Sequence, residues 1–199
     1  MFDSDIDPAR APEAWDPAEL RWSDDDCDPA LPEPRRGLIL RPWRVQDLDR
    51  FVALLDDPEV WKYLPENYPD PLDKPMAAEL IALSNAAGHH VVRAVVLDGL
   101  PVGQVRLSFR PGDNQRRRAE IGYWLGRPHW GQRLAGDMVT RFSAQCFAMI
   151  PGLEQQFARI HKANTPSRRV LERGGFRFEG PCADHEQFDI LVRDRSPAS

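Results

Sequence analysis

The stretch Ala119–Met138, which reads AEIGYWLGRPHWGQRLAGDM, contains the strongest pattern in the chain. Its first part, from Glu120 to Leu125, alternates apolar side chains with others, and this alternation predicts a buried strand. A loop with glycine and proline follows, and apolar residues at helical spacing predict a helix that begins near Leu134. A strand that leads through such a turn into a helix leaves several backbone N–H groups without partners. Together with the positive end of the helix dipole, these donors predict a site for phosphate oxygens.

The composition is that of a globular protein with an unusual first segment. The 199 residues are 42% hydrophobic and 29% charged, and the formal net charge is −5. Residues 1–36 are acidic and rich in proline, which predicts a leader with little regular structure. Residues 37–199 are long enough to form one domain with a core of its own. Composition favours a solvated leader, and its tryptophans keep open the alternative that it docks on the domain.

Several classes of function are disfavoured by the composition. Nucleic-acid binding needs a basic face, and the net charge here is negative. No apolar run approaches the roughly 20 residues that cross a bilayer, and no secretory signal is visible. The 3 cysteines and 5 histidines show no metal-ligand spacing. We therefore expect no metal, no membrane partner and a cytoplasmic location.

The rest of the domain reads as a succession of strands and helices. A first strand from Leu38 to Trp43 precedes three helices, the last of which is predicted from Met76 to Ala87. Two β-rich runs around Asp98-Gly99 predict a hairpin before the central strand. After the long helix we expect a strand near residues 157–160, a helix near residues 166–173, and final strands near residues 176–178 and 187–192.

The run from Glu120 to Ala135 resembles the acetyl-coenzyme A loop of the GNAT N-acetyltransferase superfamily, in particular its RimJ/RimL-like branch. That branch shows Glu-Ile-Gly-Tyr-Trp-Leu and then Trp-Gly-x-Gly-x-Ala. The second run here is Trp130-Gly131-Gln132-Arg133-Leu134-Ala135. Arg133 stands where the family usually has glycine, which lets the backbone approach the pyrophosphate. Two alternatives stay open, because Arg133 either supplies a guanidinium to the phosphates or weakens the loop.

A second segment resembles the other signature of the family. It reads Asn164-x-x-Ser167-x-x-Val170-Leu171-Glu172-x-x-Gly175-Phe176. By this resemblance Asn164 contacts the pantetheine arm of the cofactor. Asn164 also fits the N-cap of the following helix, and the two roles are compatible.

The resemblance spans residues 38–192 in order and implies an α/β (α+β) fold of the GNAT acyl-CoA N-acyltransferase type. Such a fold has a central mixed, mostly antiparallel sheet that is flanked by helices and splayed at the cofactor slot. The resemblance implies that acetyl-CoA, or coenzyme A, binds in this slot. The candidate contact residues are Trp124, Leu125, Gly131, Gln132, Arg133, Leu134, Ala135, Gly136, Asn164 and Ser167.

Two residues are candidates for the chemistry. Glu120 is a carboxylate in an otherwise apolar strand, where partial desolvation favours a general base; the alternative is an ion pair with an arginine such as Arg118. Ser167 resembles the RimL-like serine proposed to hydrogen-bond the thiol, which implies an acid or a thiolate stabiliser. Its alternative is a first-turn helix serine that satisfies backbone groups. Leu171 stands where many superfamily members have a tyrosine as acid, and leucine cannot donate a proton.

The implied function is an N-acetyltransferase that moves an acetyl group from acetyl-CoA to a primary amine, at a protein N-terminus or on a small molecule. Direct attack in a ternary complex needs no covalent enzyme intermediate. Trp61, Tyr63 and Tyr68 are candidates to line the acceptor cleft, with positions in the core as the alternative. The alternative function, favoured by Arg133 and Leu171, is a regulatory coenzyme A-binding module with little or no transferase activity. The oligomeric state stays open between monomer and homodimer.

Overall fold

The computed structural model describes residues 35–86, 88–110 and 117–196. The predicted leader therefore lies outside the described residues, apart from Arg35 and Arg36. The helices of the described part are α1 (Leu48–Leu55), α2 (Pro58–Trp61), α3 (Lys74–Asn85), α4 (Leu134–Met149) and α5 (Thr165–Arg173). The strands are β1 (Leu38–Arg41), β2 (His90–Leu97), β3 (Leu100–Phe109), β4 (Arg118–Leu125), β5 (Gln155–His161), β6 (Arg177–Pro181) and β7 (Phe188–Asp194).

The strands form one mixed sheet in the order β1-β2-β3-β4-β5-β7-β6. Strands β4 and β5 are parallel, and the other neighbouring pairs are antiparallel. The parallel pair is joined through α4, as a parallel connection requires a crossover. The predicted hairpin is present, because Asp98 and Gly99 both take the positive φ angles of a tight turn, 50° and 83°. The predicted sheet class is thereby confirmed.

The sheet parts between β4 and β5. Their parallel pairing joins Arg118 to Gln155, Ala119 to Gln156 and Glu120 to Phe157, and it goes no further. The second half of β4 still pairs with β3 up to Leu125, and β5 still pairs with β7. The two strands therefore separate beyond Glu120, and the predicted splaying is confirmed.

Helices cover both faces of the sheet, and each face has its own core. On one face Ile121 and Leu125 of β4 share a buried cluster with Phe142 of α4 and Leu171 of α5. On the other face Trp124 of β4 lies in a cluster with residues of α1 and α3. Because successive side chains of a strand point to opposite faces, β4 contributes to both cores.

Capping residues explain where predicted and observed helix ends differ. The predicted helix Met76–Ala87 begins two residues earlier, at Lys74, because the Asp73 side chain accepts a hydrogen bond from the Met76 amide at 2.8 Å. The same helix ends at Asn85, since the next residue is extended. Helix α2 is capped by Asp57, whose side chain accepts a hydrogen bond from the Glu59 amide at 3.0 Å.

Candidate active site

The parting of the sheet opens a cleft of about 1170 Å³. Its walls come from β4, β5, α5, the loop that follows β4 and the segment around α2. This volume is slightly above the usual range for small-molecule pockets, which suits an elongated ligand. Of the predicted catalytic and cofactor-binding residues, only Gly136 lies outside the lining of the cleft.

The loop that leads into α4 presents backbone donors at one end of the cleft. Among the described residues, five successive amides find no protein acceptor, and they belong to Gly131, Gln132, Arg133, Leu134 and Ala135. The amide of Gly136 differs, because it donates to the Arg133 carbonyl at 3.1 Å. The predicted set of unpaired amides therefore includes one residue too many, because the unpaired amides end at Ala135. Exposed amides at the N-terminus of a 16-residue helix can hold phosphate oxygens.

Arg133 has the backbone conformation of the glycine that it replaces. Its φ is +62° and its ψ is 1°, a left-handed conformation that costs a non-glycine residue roughly 1–2 kcal/mol. Gly131, two residues earlier, also has a positive φ, of 73°. The Arg133 side chain is exposed, lines the cleft and makes no hydrogen bond or ion pair with another described residue. A guanidinium is thus available beside the free amides.

The edge of β4 that faces β5 is open beyond Glu120. The Gly126 amide donates to the Val102 carbonyl next to β3, and N–H groups alternate between the two edges of a strand. The amides of Tyr123 and Leu125 therefore face the gap. The Leu125 carbonyl accepts the indole N–H of Trp130 at 2.7 Å. The Trp124 and Leu125 side chains are buried, and of these two residues only Leu125 turns its backbone N–H to the gap.

Glu120 lies at the point where the two strands part. It is not paired with Arg118, which instead binds Glu179 at 2.7 Å. Its partner is Arg159 of β5, which donates from Nε to one carboxylate oxygen at 2.8 Å and from Nη2 to the other at 2.9 Å. This two-point bond raises the pKa of Arg159. With 26% of its side chain exposed, Glu120 is held in a fixed orientation within the cleft.

The first turn of α5 brings Asn164 and Ser167 to the cleft. The Asn164 side-chain oxygen accepts the Ser167 amide at 3.3 Å, so its predicted role as N-cap is confirmed. Its amide nitrogen donates to no other described residue. The Ser167 hydroxyl lies 2.6 Å from the Tyr123 hydroxyl. Burial of the phenol raises the pKa of Tyr123 to about 12.

The three aromatic candidates for the acceptor cleft have different positions. Tyr63 lines the cleft, and its ring lies 5.2 Å from that of His161. Trp61 is buried and donates to the Leu55 carbonyl, although one part of it reaches the lining. Tyr68 takes the alternative position: it packs against the core cluster of α1 and α3, its hydroxyl donates to Asp56 at 2.7 Å, and it is not part of the lining.

Two site residues were missed by the sequence reasoning. Arg159 is a charged residue within the predicted strand Phe157–Ile160. A charged side chain between Ala158 and Ile160 was the one sign in the sequence that this position has a role in the site. Tyr123 lies on the same face of β4 as Ile121, the face that is covered by α4 and α5. The alternation of apolar residues predicts the face of β4 on which Tyr123 lies. It does not predict the contact with Ser167, which comes more than 40 positions later in the sequence.

Solved structures of known proteins have the same fold. RimJ from Mycobacterium smegmatis, in complex with CoA-disulfide, has a TM-score of 0.68 at 22% identity and covers 79% of this chain and 81% of its own. Spermidine N-acetyltransferase from Vibrio cholerae, in complex with CoA and spermine, has a TM-score of 0.66 at 18% identity, with coverages of 79% and 94%. The fold and the parted sheet together define the class of the GNAT acetyltransferases.

The sequence comparisons identify the family. The acetyltransferase (GNAT) domain family matches residues 37–177. The uncharacterized N-acetyltransferase p20 from Bacillus licheniformis is 30% identical over 153 residues, which cover 75% of this chain and 84% of p20. The chain therefore belongs to the GNAT acetyltransferase family and is an acetyl-CoA-dependent acyltransferase.

Two further properties concern only the residues that the structure describes. No cluster of three or more His, Cys, Asp or Glu side chains in them is arranged to hold a metal ion. None of their helices is long and apolar enough to cross a membrane.

Proposed function

We propose that the protein transfers the acetyl group of acetyl-CoA to a primary amine, by direct attack of the amine on the thioester in a ternary complex. The parting of β4 from β5 carries this proposal. It leaves an open strand edge between the free amides of residues 131–135 at one end and the Glu120 carboxylate at the other. Unpaired strand edges inside a protein favour a ligand that can pair with them.

The cofactor is proposed to lie along this edge. The free loop amides suit the diphosphate, and the open amides of Tyr123 and Leu125 suit the carbonyl groups of the pantetheine arm. The side-chain nitrogen of Asn164 is a further donor toward the same arm. The thioester then lies between Glu120 and Ser167, at the inner end of the cleft.

The two faces of β4 separate the roles of the two substrates. Glu120 shares its face with Trp124, which packs with residues of α1 and α3. Tyr123 points to the opposite face, where it meets Ser167 of α5. The amine is therefore proposed to enter on the side of α1 to α3, while the sulfur faces α5. This arrangement lets both substrates be present together, as direct attack requires.

Glu120 is proposed to accept the proton that the amine sheds. Arg159 occupies one lone pair on each carboxylate oxygen, and each oxygen keeps another. The transfer occurs directly or through one water molecule.

The acceptor class is proposed to be a primary amine on a protein N-terminus or a small molecule. The name of p20 and the bound spermine of the Vibrio cholerae enzyme support an amine. On the acceptor side, Tyr63, His161 and Phe188 form a row of rings at 5.2 and 5.3 Å spacing. Aromatic faces suit an ammonium group before it is deprotonated.

Thiol release from acetyl-CoA by the full chain tests this proposal. The panel contains polyamines, monoamines and peptides with free or blocked N-termini, and mass spectrometry identifies the acetylated product. We expect release with at least one free amine and none with the blocked peptides. Tight binding of coenzyme A without release on any acceptor would support the alternative, a binding module, and would refute the transferase.

A further inference from the structure

Two hydroxyl groups meet inside the cleft on the face of β4 that is turned away from Glu120. Tyr123 Oη lies 2.6 Å from Ser167 Oγ, and both residues line the cleft. Leu171 lies one turn farther along α5, 1% exposed and packed in the core. The helix position that holds a tyrosine in many relatives therefore supplies no hydroxyl here, whereas β4 supplies one.

The 2.6 Å contact between Tyr123 Oη and Ser167 Oγ can be made with either hydroxyl as the donor. Each hydroxyl carries one proton. If Ser167 donates, the tyrosine proton is left with the Ser167 carbonyl at 3.4 Å. If Tyr123 donates, the serine proton stays free to point into the cleft. A phenol is a more acidic donor than an alcohol, which favours Tyr123 as the donor.

We propose that Tyr123 is a positioning residue that donates to Ser167 Oγ and thereby aims the serine O–H at the sulfur of the departing coenzyme A. This inference rests on the proposed transferase function. The amine nitrogen forms a bond to the acetyl carbon, the C–S bond breaks, and its electron pair goes to sulfur. Ser167 stabilises the thiolate with a hydrogen bond, and neither hydroxyl loses its proton. The amine proton goes to Glu120, and solvent later protonates the thiolate.

The surroundings of Tyr123 suit this role. Its ring packs against the core formed by α4 and α5, which fixes the position of Oη. Because burial raises the pKa of Tyr123 to about 12, the phenol keeps its proton and remains a donor at neutral pH. Hydrogen bonds to charged groups are stronger than those between neutral groups, so an aimed serine contributes most when the thiolate forms.

A double-mutant cycle tests the inference in the full chain. The variants are Tyr123→Phe, Ser167→Ala and the combination of both, with kcat and KM for acetyl-CoA and the Kd of coenzyme A as readouts. We expect kcat to fall about tenfold in each single variant, with KM and Kd changed less than twofold. The combined variant should be no slower than Ser167→Ala alone, because Tyr123 acts through Ser167.

Two further variants complete the design. Ser167→Thr keeps a hydroxyl and should retain most of the wild-type kcat. Tyr68→Phe is the matched control, since it also removes one tyrosine hydrogen bond, to Asp56, away from the cleft lining. It should leave kcat unchanged.

Three results would overturn the inference: an unchanged kcat in Tyr123→Phe, effects that multiply in the combined variant, or an unchanged kcat in Ser167→Ala. The last measurement stands even where Tyr123→Phe fails to fold. A wild-type chain that turns over no amine would refute the proposed function itself. Turnover by the wild type with one of these three results refutes the positioning role alone.

Discussion

The two ends of the cleft are built in different ways. The end proposed for the diphosphate, residues 131–135, is called the phosphate end below; it consists of unpaired backbone amides from one continuous stretch, of which residues 131–133 are exposed. The inner end consists of the side chains of Glu120, Tyr123, Arg159 and Ser167, which come from β4, β5 and α5. A site that is made from the backbone of one continuous segment can be recognised in the sequence as a motif. A site made from side chains on separate elements depends on how those elements pack.

The largest effect is expected at the inner end, for Glu120→Gln. The substitution keeps the size of the side chain and removes the proton acceptor. We expect kcat to fall about 100-fold, the lower range for loss of a general base, while the Kd of coenzyme A changes little. Steady-state kinetics and calorimetry measure the two quantities.

Glu179→Gln is the matched control for this prediction. Glu179 is also a strand residue that is paired with an arginine, Arg118 at 2.7 Å, but it lies outside the cleft lining. Its substitution should leave kcat within twofold. A Glu120→Gln variant with nearly full activity would remove Glu120 as the base and restrict it to an ion pair with Arg159.

The sequence predicted the loop with unpaired amides at the start of α4 and only part of the inner end, and the binding of a diphosphate at that loop stays a prediction. The fold and the donor loop follow from local patterns, with the end of the donor set at Ala135 rather than Gly136 as the one error there. Glu120 was assigned Arg118 as its alternative partner because both lie on one strand. The register that pairs Glu120 with Phe157 instead brings Arg159 near, on the same face of β5. No local pattern encodes that register, because it depends on the packing of α4.

The start of one helix and the position of one side chain also depend on contacts that the local sequence pattern does not show. The helix predicted to begin at Met76 begins at Lys74, because the short side chain of Asp73 captures the Met76 amide. For Tyr68 the cleft and the core were both open, and its hydroxyl is bound to Asp56 on the core side. In both cases a single hydrogen bond decided between two arrangements that the apolar pattern allowed.

The second prediction concerns the titration of Tyr123. We expect its ionisation in the folded protein near pH 12, and near its ordinary value of 10 in denaturant. The difference in tyrosinate absorbance between the wild type and Tyr123→Phe measures it. The fold favours the protonated phenol, so this contribution to stability is complete below pH 10. It is lost as the pH rises from 10 to 12, because the unfolded chain releases the proton first.

Tyr68 needs a separate measurement, because its hydrogen bond to Asp56 raises the pKa of that tyrosine also to about 12. Tyr68→Phe therefore identifies its share of the alkaline absorbance change. If the part of the absorbance change that is due to Tyr123 occurs near pH 10 in the folded protein, the Tyr123 hydroxyl is solvated. The inner end would then be as open as the phosphate end.

The third prediction separates the two interpretations of Arg133 at the phosphate end. Arg133→Ala removes the guanidinium and keeps a side chain at positive φ, whereas Arg133→Gly removes both the guanidinium and the strain. If the guanidinium binds phosphate, both variants should bind coenzyme A about fivefold more weakly. Neither should change the binding of acetyl-pantetheine, which lacks the diphosphate.

The stability of the two variants should differ in the same experiment. Relief of the left-handed conformation in Arg133→Gly is worth about 1 kcal/mol, which raises the melting temperature by roughly 2–4 °C in a chain of this size. Arg133→Ala should show no such gain. Tighter coenzyme A binding by Arg133→Gly than by the wild type would instead mean that arginine weakens the loop.

The smallest effect is expected for Arg35, which donates to the Gln132 carbonyl at 2.8 Å in an exposed contact. Arg35 binds a backbone carbonyl of the phosphate end, whereas the proposed contacts to the diphosphate are made by backbone amides. Because exposed contacts contribute little, Arg35→Ala should change the Kd of coenzyme A less than twofold. A chain that begins at Gly37 should behave in the same way, as expected if residues 1–36 form a separate leader. A loss of fivefold or more in either variant would place residues before Gly37 within the cofactor site, and the phosphate end would no longer be one continuous stretch of sequence.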